Sequence, residues 1–164
     1  MPHLGSFLVC EKFVLDQQQK PTLISLFQAM TAVVPEGQQI PKDTLAGTPW
    51  VIFCEWFFDE AELSKSFEQV VEVLLPDGSP SPIRARLPLK EIGKEGQGTR
   101  AYINIFGIPI GQTGLLTVTA WLEEDSKRAT DVFSYRIKIE HTKEPPSPQG
   151  NGRFIPALSQ TKPA

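Results

Sequence analysis

The last third of the chain shows the clearest alternation of apolar and polar side chains. From Phe133 to Glu140 every second residue is apolar, and the residues between them are serine or charged. This period of two is typical of a β-strand with one buried and one solvated face. Two further β-branched and aromatic runs precede it, separated by a Gly/Pro corner at 106–114 and a charged turn at 124–128. A corner followed by a hairpin predicts the closing part of a β-sandwich sheet.

Similar patterns predict strands along the rest of the chain. The first is Ser6–Asp16, whose alternation slips at Glu11–Lys12 and predicts a bulge there. A second covers Thr22–Val34, with a short helix over Leu26–Ala32 as the alternative. About eight strands joined mostly by short connections predict the fold class all-β, a two-sheet antiparallel immunoglobulin-like β-sandwich. The other predicted strands are Trp50–Phe58, Ser66–Leu75, Ile83–Lys90 and the three runs between Tyr102 and Glu140.

The length and a late change in composition predict one domain and a tail. A chain of 164 residues is long enough to bury its own core. After His141 the sequence is rich in Pro, Gly and polar residues. We therefore predict a β-sandwich domain at 1–141 and a Pro-rich, disordered C-terminal tail at 142–164. The apolar island in this tail, Arg153–Leu158, is alternatively a docking motif or a segment that folds back over an exposed groove.

Trp50–Phe58 is the most apolar predicted strand, and its large side chains fall on both faces. One interpretation is a central strand covered on both sides. The other is a strand whose outer face meets a protein partner or a second copy of the chain, since exposed aromatics mark interfaces. Under that hypothesis the protein-binding residues are Trp50, Trp56 and Phe58, together with Phe154, Ile155 and Leu158 of the tail.

The connections also carry candidate chemistry. The long Pro35–Pro49 loop is either a binding loop or a simple crossing between sheets. If successive strands alternate in direction, one end of the sandwich gathers acidic and basic loops, and the opposite end holds both termini. An acidic loop end resembles a calcium-dependent, lipid-binding sandwich, but interspersed lysines and the lack of Asp-x-Asp spacing favour a charge-balanced rim. The shared acidic end comprises 17–20, 59–65, 91–99 and 123–128, and the opposite end comprises 35–49, 76–80 and 106–114.

Charge and cysteine content narrow the function further. The net charge of −3 and the pI near 5.4 provide no basic field for nucleic acid. No apolar run approaches the roughly 20 residues that a membrane span needs. The first residues lack a basic signal-peptide region, so we expect a cytoplasmic protein. Without a secretion signal, Cys10 and Cys54 are predicted to be buried reduced thiols rather than a disulfide.

Enzyme motifs are not recognisable in the sequence. Neither cysteine has a nearby histidine, because His3 and His141 lie at opposite ends of the chain. The glycines at 107, 111 and 114 have the wrong spacing for a dinucleotide site, and a strand follows them where a helix is required. The prediction is therefore a protein without catalytic residues, metal ligands or a cofactor. An enzyme with an unrecognised site is kept as the last alternative.

Short apolar motifs around turns recur at Leu8–Glu11, Leu23–Phe27, Leu75–Gly78 and Ile103–Gly114. Over about Phe7–Glu140 this pattern resembles a bacterial family of small proteins described only as a domain of unknown function. The resemblance implies a β-sandwich and a cytoplasmic bacterial origin, and it implies no activity. The leading functional hypothesis is a non-catalytic module for protein interaction or assembly, with a calcium-dependent or small-ligand and lipid-binding sandwich as the alternative.

Overall fold

The computed structural model describes residues 1–18, 20–35, 37–89 and 97–143. Within these ranges the chain forms ten strands and one short 3-10 helix, Glu60–Glu62. The strands are β1 (His3–Leu15), β2 (Pro21–Leu26), β3 (Ala29–Val34), β4 (Leu45–Phe57), β5 (Glu68–Leu74), β6 (Pro80–Pro88), β7 (Thr99–Pro109), β8 (Gly114–Glu124), β9 (Lys127–Arg128) and β10 (Phe133–Lys143).

The strands form two sheets packed face to face. The first sheet has the order β2-β1-β4-β7, and all its ladders are antiparallel. The second has the order β3-β10-β8-β5-β6, with β9 paired to β8. The predicted all-β, two-sheet sandwich is confirmed, and β6 lies at a sheet edge. One ladder departs from the antiparallel prediction, because β3 runs parallel to β10.

The parallel ladder arises from a break in the predicted Thr22–Val34 strand. Phe27 N still donates to Val9 O, which continues the β1–β2 ladder, whereas Lys138 N donates to Gln28 O in the other sheet. The chain therefore crosses between sheets at Phe27–Gln28, and the alternative helix does not form. A positive φ of 55° at Ser25 interrupts the extended backbone just before this crossing.

Because of this extra crossing, every later strand runs opposite, relative to β1, to the direction that simple alternation of the predicted strands gives. The crossing makes β4 antiparallel to β1, so the amino terminus lies beside the end of β4 and the Met1 amino group approaches Glu62 at 2.8 Å. The expectation that both termini share the end opposite the 59–65 connection is therefore wrong for the amino terminus. The 17–20 turn follows β1 toward the start of β4, so its predicted placement with 59–65 is also wrong.

Other connections group as expected. The loop before β4, the turn at 76–79 and the corner at 110–113 lie at one end of the sandwich, where Lys42 reaches Asp77 and Ile110 N donates to Thr44 O. The 59–65 connection and the charged turn after β8 lie at the other end, where Lys65 pairs with Glu124. We call the first of these the cleft end and the second the rim end.

The core lies between the sheets and is built mainly from one face of β1, β4, β5, β7, β8 and β10. In β4 this face carries Trp50, Ile52, Cys54 and Trp56, all fully buried. They pack against the inward residues of β5, β8 and β10. Each fully buried large apolar side chain contributes about 1.5–3 kcal/mol by its removal from water.

The outer face of β4 is covered by the β1–β2 hairpin. Val51 and Phe53 are buried outside the intersheet core. The β1–β4 ladder ends at the Cys10–Val51 pair, yet the Phe13 ring stacks on Phe53 at 5.4 Å between centroids. The distal hairpin must therefore bend across the sheet. β4 is therefore a central strand covered on both faces, which is the first of the two interpretations.

The predicted bulge at Glu11–Lys12 is wrong. The β1–β2 register runs through these residues unshifted, and the register shift of β1 lies instead between Leu4 and Ser6, against β4.

Candidate functional site

A polar cleft of about 630 Å³ lies at the cleft end of the sandwich. The loop before β4, the turn after β5 and the corner after β7 converge there because all three connections lie at the same end. The lining combines amide side chains with one carboxylate and one imidazole. Its residues are Val34, Gln38, Gln39, Ile40, Pro76, Asp77, Gly111, Gln112, Thr113 and His141.

Asp77 is the charged centre of this cleft. Its carboxylate accepts hydrogen bonds from Lys42 Nζ at 2.6 Å, from Ser79 Oγ at 2.6 Å and from Gln112 Nε2 at 3.2 Å. The Lys42 ammonium, followed by the Ser79 and Gln112 donors, holds the pKa of Asp77 well below its usual range. The oxygens of Asp77 therefore already serve neighbouring parts of the chain, and they tie the loop and the corner to the turn.

The imidazole of His141 is also engaged with the protein. His141 Nε2 lies 2.6 Å from Ile110 O, which joins β10 to the corner. The α-carbon of Gly111 faces the carbonyl groups of Pro41 and Lys42 so closely that a Cβ would overlap them. The cleft is thus a junction of connections, with its ionisable groups bonded across it.

At the rim end the carboxylates of Glu62, Glu123 and Glu124 are paired with cations, and Glu123 also accepts from an indole. Glu123 accepts a hydrogen bond from Trp121 Nε1 at 2.9 Å and one from Arg86 at 2.8 Å. The Trp121 hydrogen bond is the largest cause that lowers the pKa of Glu123, and Arg86 lowers it further. Glu62 pairs with the amino terminus. Among the described residues no group of three or more His, Cys, Asp or Glu side chains is arranged to hold a metal ion.

The two cysteines are buried free thiols, as predicted. In the ladders Cys10 is opposite Val51 and Cys54 is opposite Phe7, so they occupy different positions of the first sheet. Burial raises the pKa of both thiols, most strongly that of Cys54.

The residues predicted to bind a partner do not form a common surface in the described structure. Trp50 and Trp56 are fully buried between the sheets, and Phe58 is buried beside Phe67. None of these three side chains faces solvent, which agrees with the covered-strand interpretation. The tail residues Phe154, Ile155 and Leu158 lie outside the described residues.

An apolar surface lies instead on the outer face of β7 and the start of β4. We call it the β7 patch, and it consists of Leu45, Tyr102 and Phe106, which are 42%, 43% and 73% exposed. The Phe106 ring lies over Gly47, and the Tyr102 ring stacks on Phe13 at 4.6 Å between centroids. The patch is therefore packed on the Phe13 ring and on Gly47, and Phe106 is its most exposed residue.

The alternation of β7 places Phe106 on the outer face, and it ends at Gly107. Gly107 has a φ of +94°, which breaks the alternation of β7 and returns Ile108 to the core. Trp50 Nε1 donates to Gly107 O at 3.0 Å and holds this irregular position of the strand from the core side. Sequence reasoning placed Phe106 in the glycine-rich corner and missed the patch. The signal was present in the alternation, because Tyr102, Asn104 and Phe106 share one parity and Ile103 and Ile105 share the other.

β7 is also an edge strand. Among the described strands it pairs only with β4, and from Ala101 to Ile108 it contains neither a charged residue nor a proline. Edge strands without charge or proline are exposed to pairing with another chain. The β6 edge differs, since it carries Pro80, Pro82, Pro88, Arg84 and Arg86.

No protein-family model matches the chain, and no curated protein matches it in sequence. Within the described residues no helix has the length and apolar character needed to cross a membrane.

Proposed function

We propose that this protein is a non-catalytic interaction module that binds an extended, apolar protein segment along the edge of β7. The observation that carries the proposal is Phe106, which is 73% exposed on an edge strand that has no charged residue from Ala101 to Ile108. A large aromatic side chain left in water at a sheet edge is the kind of anchor that dominates binding energy at interfaces.

The backbone of β7 supplies the second half of the recognition. An extended peptide that adds to a sheet edge gains main-chain hydrogen bonds, and its alternate side chains meet the side chains of the edge strand. On β7 these are Tyr102 and Phe106, with Asn104 between them on the same face. The bound segment would place apolar side chains against both rings.

The other edges are less suited to this role. β6 is protected by prolines and arginines, and β2 begins with Pro21 and is distorted at Ser25. β3 has six residues and one strongly exposed apolar side chain, Val33. The β7 edge therefore combines the greatest length with the most exposed aromatic surface.

The polar groups of the described structure support a binding role rather than catalysis. Asp77 is bonded to Lys42 and Gln112, and His141 contacts Ile110 O. Both thiols are buried, and burial raises their pKa values, which disfavours the nucleophilic thiolate.

Selection from a displayed library of random peptides tests the proposal, using the full chain, Phe106→Ser and Val33→Ser. We expect the full chain to enrich peptides with apolar residues at alternate positions. Phe106→Ser should weaken their binding by about tenfold or more, because truncation of an interface anchor typically costs that much. Val33→Ser is the matched control, since Val33 is an exposed apolar residue on a different edge strand. It should bind as the unchanged protein does.

Loss of fold is a separate outcome and is checked by thermal unfolding. Because Phe106 is mostly exposed, its replacement should change stability by less than about 0.5 kcal/mol. Equal binding by Phe106→Ser and the unchanged chain, or no enriched peptide with either, would reject the proposed function.

A further inference from the structure

We propose that the apolar island of the chain's own C-terminal segment, Arg153–Leu158, docks on the β7 patch of the same molecule. The inference deepens the proposed function, on which it rests, by naming an occupant of that surface. The segment reads Arg-Phe-Ile-Pro-Ala-Leu, and it is the apolar stretch within an otherwise polar, Pro-rich sequence.

The place where β10 ends makes this docking geometrically direct. β10 ends at Lys143, and two residues earlier His141 Nε2 lies 2.6 Å from Ile110 O. Ile110 directly follows β7. The chain after β10 therefore starts beside the end of β7 that carries Phe106.

The length of the connection is sufficient for the whole patch. Phe106 is four residues from Ile110, about 13 Å along the strand, and Tyr102 is about 26 Å away. The extended chain from Lys143 to Phe154 spans about 35 Å. The apolar island can reach either ring without disturbing the described strands.

The chemistry of the segment fits the surface it would cover. The patch offers two exposed rings and Leu45, and no charged residue lies on β7 between Ala101 and Ile108. Phe154, Ile155 and Leu158 supply apolar side chains, and Pro156 lowers the entropy lost when the segment becomes extended. Docking in the same molecule also benefits from the high effective concentration that a short connection provides.

Such docking would make the island a competitor of any external segment. An outside partner would have to displace it, so the triple variant Phe154→Ser/Ile155→Ser/Leu158→Ser should bind selected peptides more tightly than the unchanged chain. Phe106→Ser should remove that gain. This competition is expected only if both proposals hold. The decisive test of the docking itself does not depend on binding of an external partner.

Disulfide trapping in the full chain is that test. One variant carries Asn104→Cys, at the centre of the β7 patch, together with Ala157→Cys in the island. The control variant carries Thr31→Cys on β3 together with Ala157→Cys. Thr31 is exposed and lies about 10 Å along the strand from the residue paired with Lys143, whereas Asn104 lies about 20 Å from Ile110. An undirected segment would therefore favour the control, and the buried Cys10 and Cys54 should not compete.

We expect the intramolecular disulfide at Asn104→Cys to form about tenfold faster than at Thr31→Cys at micromolar protein. Adding the three serine substitutions should abolish the difference. Equal rates, a faster control or a disulfide between two molecules would overturn docking within one chain. If trapping fails while Phe106→Ser still loses peptide binding, this inference falls and the proposed function stands. If trapping succeeds while Phe106→Ser binds peptides as well as the unchanged chain does, the docking stands and the proposed function is rejected.

Discussion

The side-chain oxygen of Gln69 accepts a hydrogen bond from Trp56 Nε1 at 2.7 Å in the core between the two sheets. Both side chains are fully buried, and Gln69 Nε2 has no hydrogen-bond partner among the described residues. The pair joins β4 of the first sheet to β5 of the second. Because both groups are removed from water, the contribution of each side chain to the free energy of unfolding depends on whether the other is present.

This dependence gives a double-mutant test of the packing between the sheets. Trp56→Phe leaves the whole Gln69 amide without a partner, so we expect Gln69→Leu to be more favourable in that background than in the unchanged protein. The difference should be about 1–3 kcal/mol in the free energy of unfolding, measured with urea. Additive effects of the two substitutions would show that the hydrogen bond does not form.

Gly111 tests the attachment of the loop to the corner at the cleft end. Gly111→Ala would push a methyl group into the carbonyls of Pro41 and Lys42, and we expect a loss of about 1–3 kcal/mol of stability. Gly47→Ala is the control, because its new Cβ would meet the Phe106 ring at an ordinary 3.6 Å. Thermal unfolding that ranks the two variants equally would contradict the described contact.

Glu123 gives a pH dependence with a definite sign. Its pKa is lowered in the folded protein, chiefly by the Trp121 hydrogen bond and also by Arg86, so the carboxylate contributes stability above its unfolded pKa of about 4.3. That contribution is lost as the pH falls through the folded pKa. We therefore expect Glu123→Gln to lower the melting temperature at pH 7 and to differ progressively less from the unchanged protein below about pH 4.

Trp121→Phe provides the matched control for this pH effect. Without the indole donor, the pKa of Glu123 should move back toward its ordinary value, as an NMR titration of the carboxyl carbon would detect. A difference between Glu123→Gln and the unchanged protein that stays constant from pH 7 to pH 2 would contradict the assigned hydrogen bonds.

The buried thiols allow a test by chemical modification. Burial raises the pKa of Cys54 and keeps its sulfur from solvent, so iodoacetamide should leave Cys54 unmodified in the folded protein at pH 8. Mass spectrometry should show modification of both cysteines after unfolding in guanidinium. Rapid labelling of Cys54 without denaturant would mean that the core between the sheets is open.

Side-chain alternation was sufficient to predict the sandwich, because the pattern reports directly which face of each strand is buried. Alternation did not predict the crossing at Phe27–Gln28, because the residues before and after it both form strands. A strand that continues and a strand that changes sheets have the same local pattern. The crossing is set by partners distant in sequence, Val9 on one side and Lys138 on the other.

The candidate surface shows a related limit. The large side chains of Trp50–Phe58 indicated either a covered strand or an interface, and pattern alone could not show that the Phe13 hairpin covers Phe53. Phe106 was predicted as part of the glycine-rich corner, although its shared parity with Tyr102 and Asn104 already indicated the outer face. Alternation thus indicates which face a side chain is on, whereas tertiary contacts such as the stacking of Phe13 on Phe53 decide whether that face is covered.

Hydrogen–deuterium exchange of the β7 amides, with and without a peptide selected on the full chain, tests the central claim most directly. If the peptide pairs with the edge of β7, exchange between Ala101 and Ile108 should slow in its presence, while exchange in β3 should not change. Phe106→Ser should bind the peptide about tenfold more weakly or worse, and exchange in β7 should slow correspondingly less at the same peptide concentration. Protection of β3 or of the cleft-end loop, with no change in β7, would contradict the account.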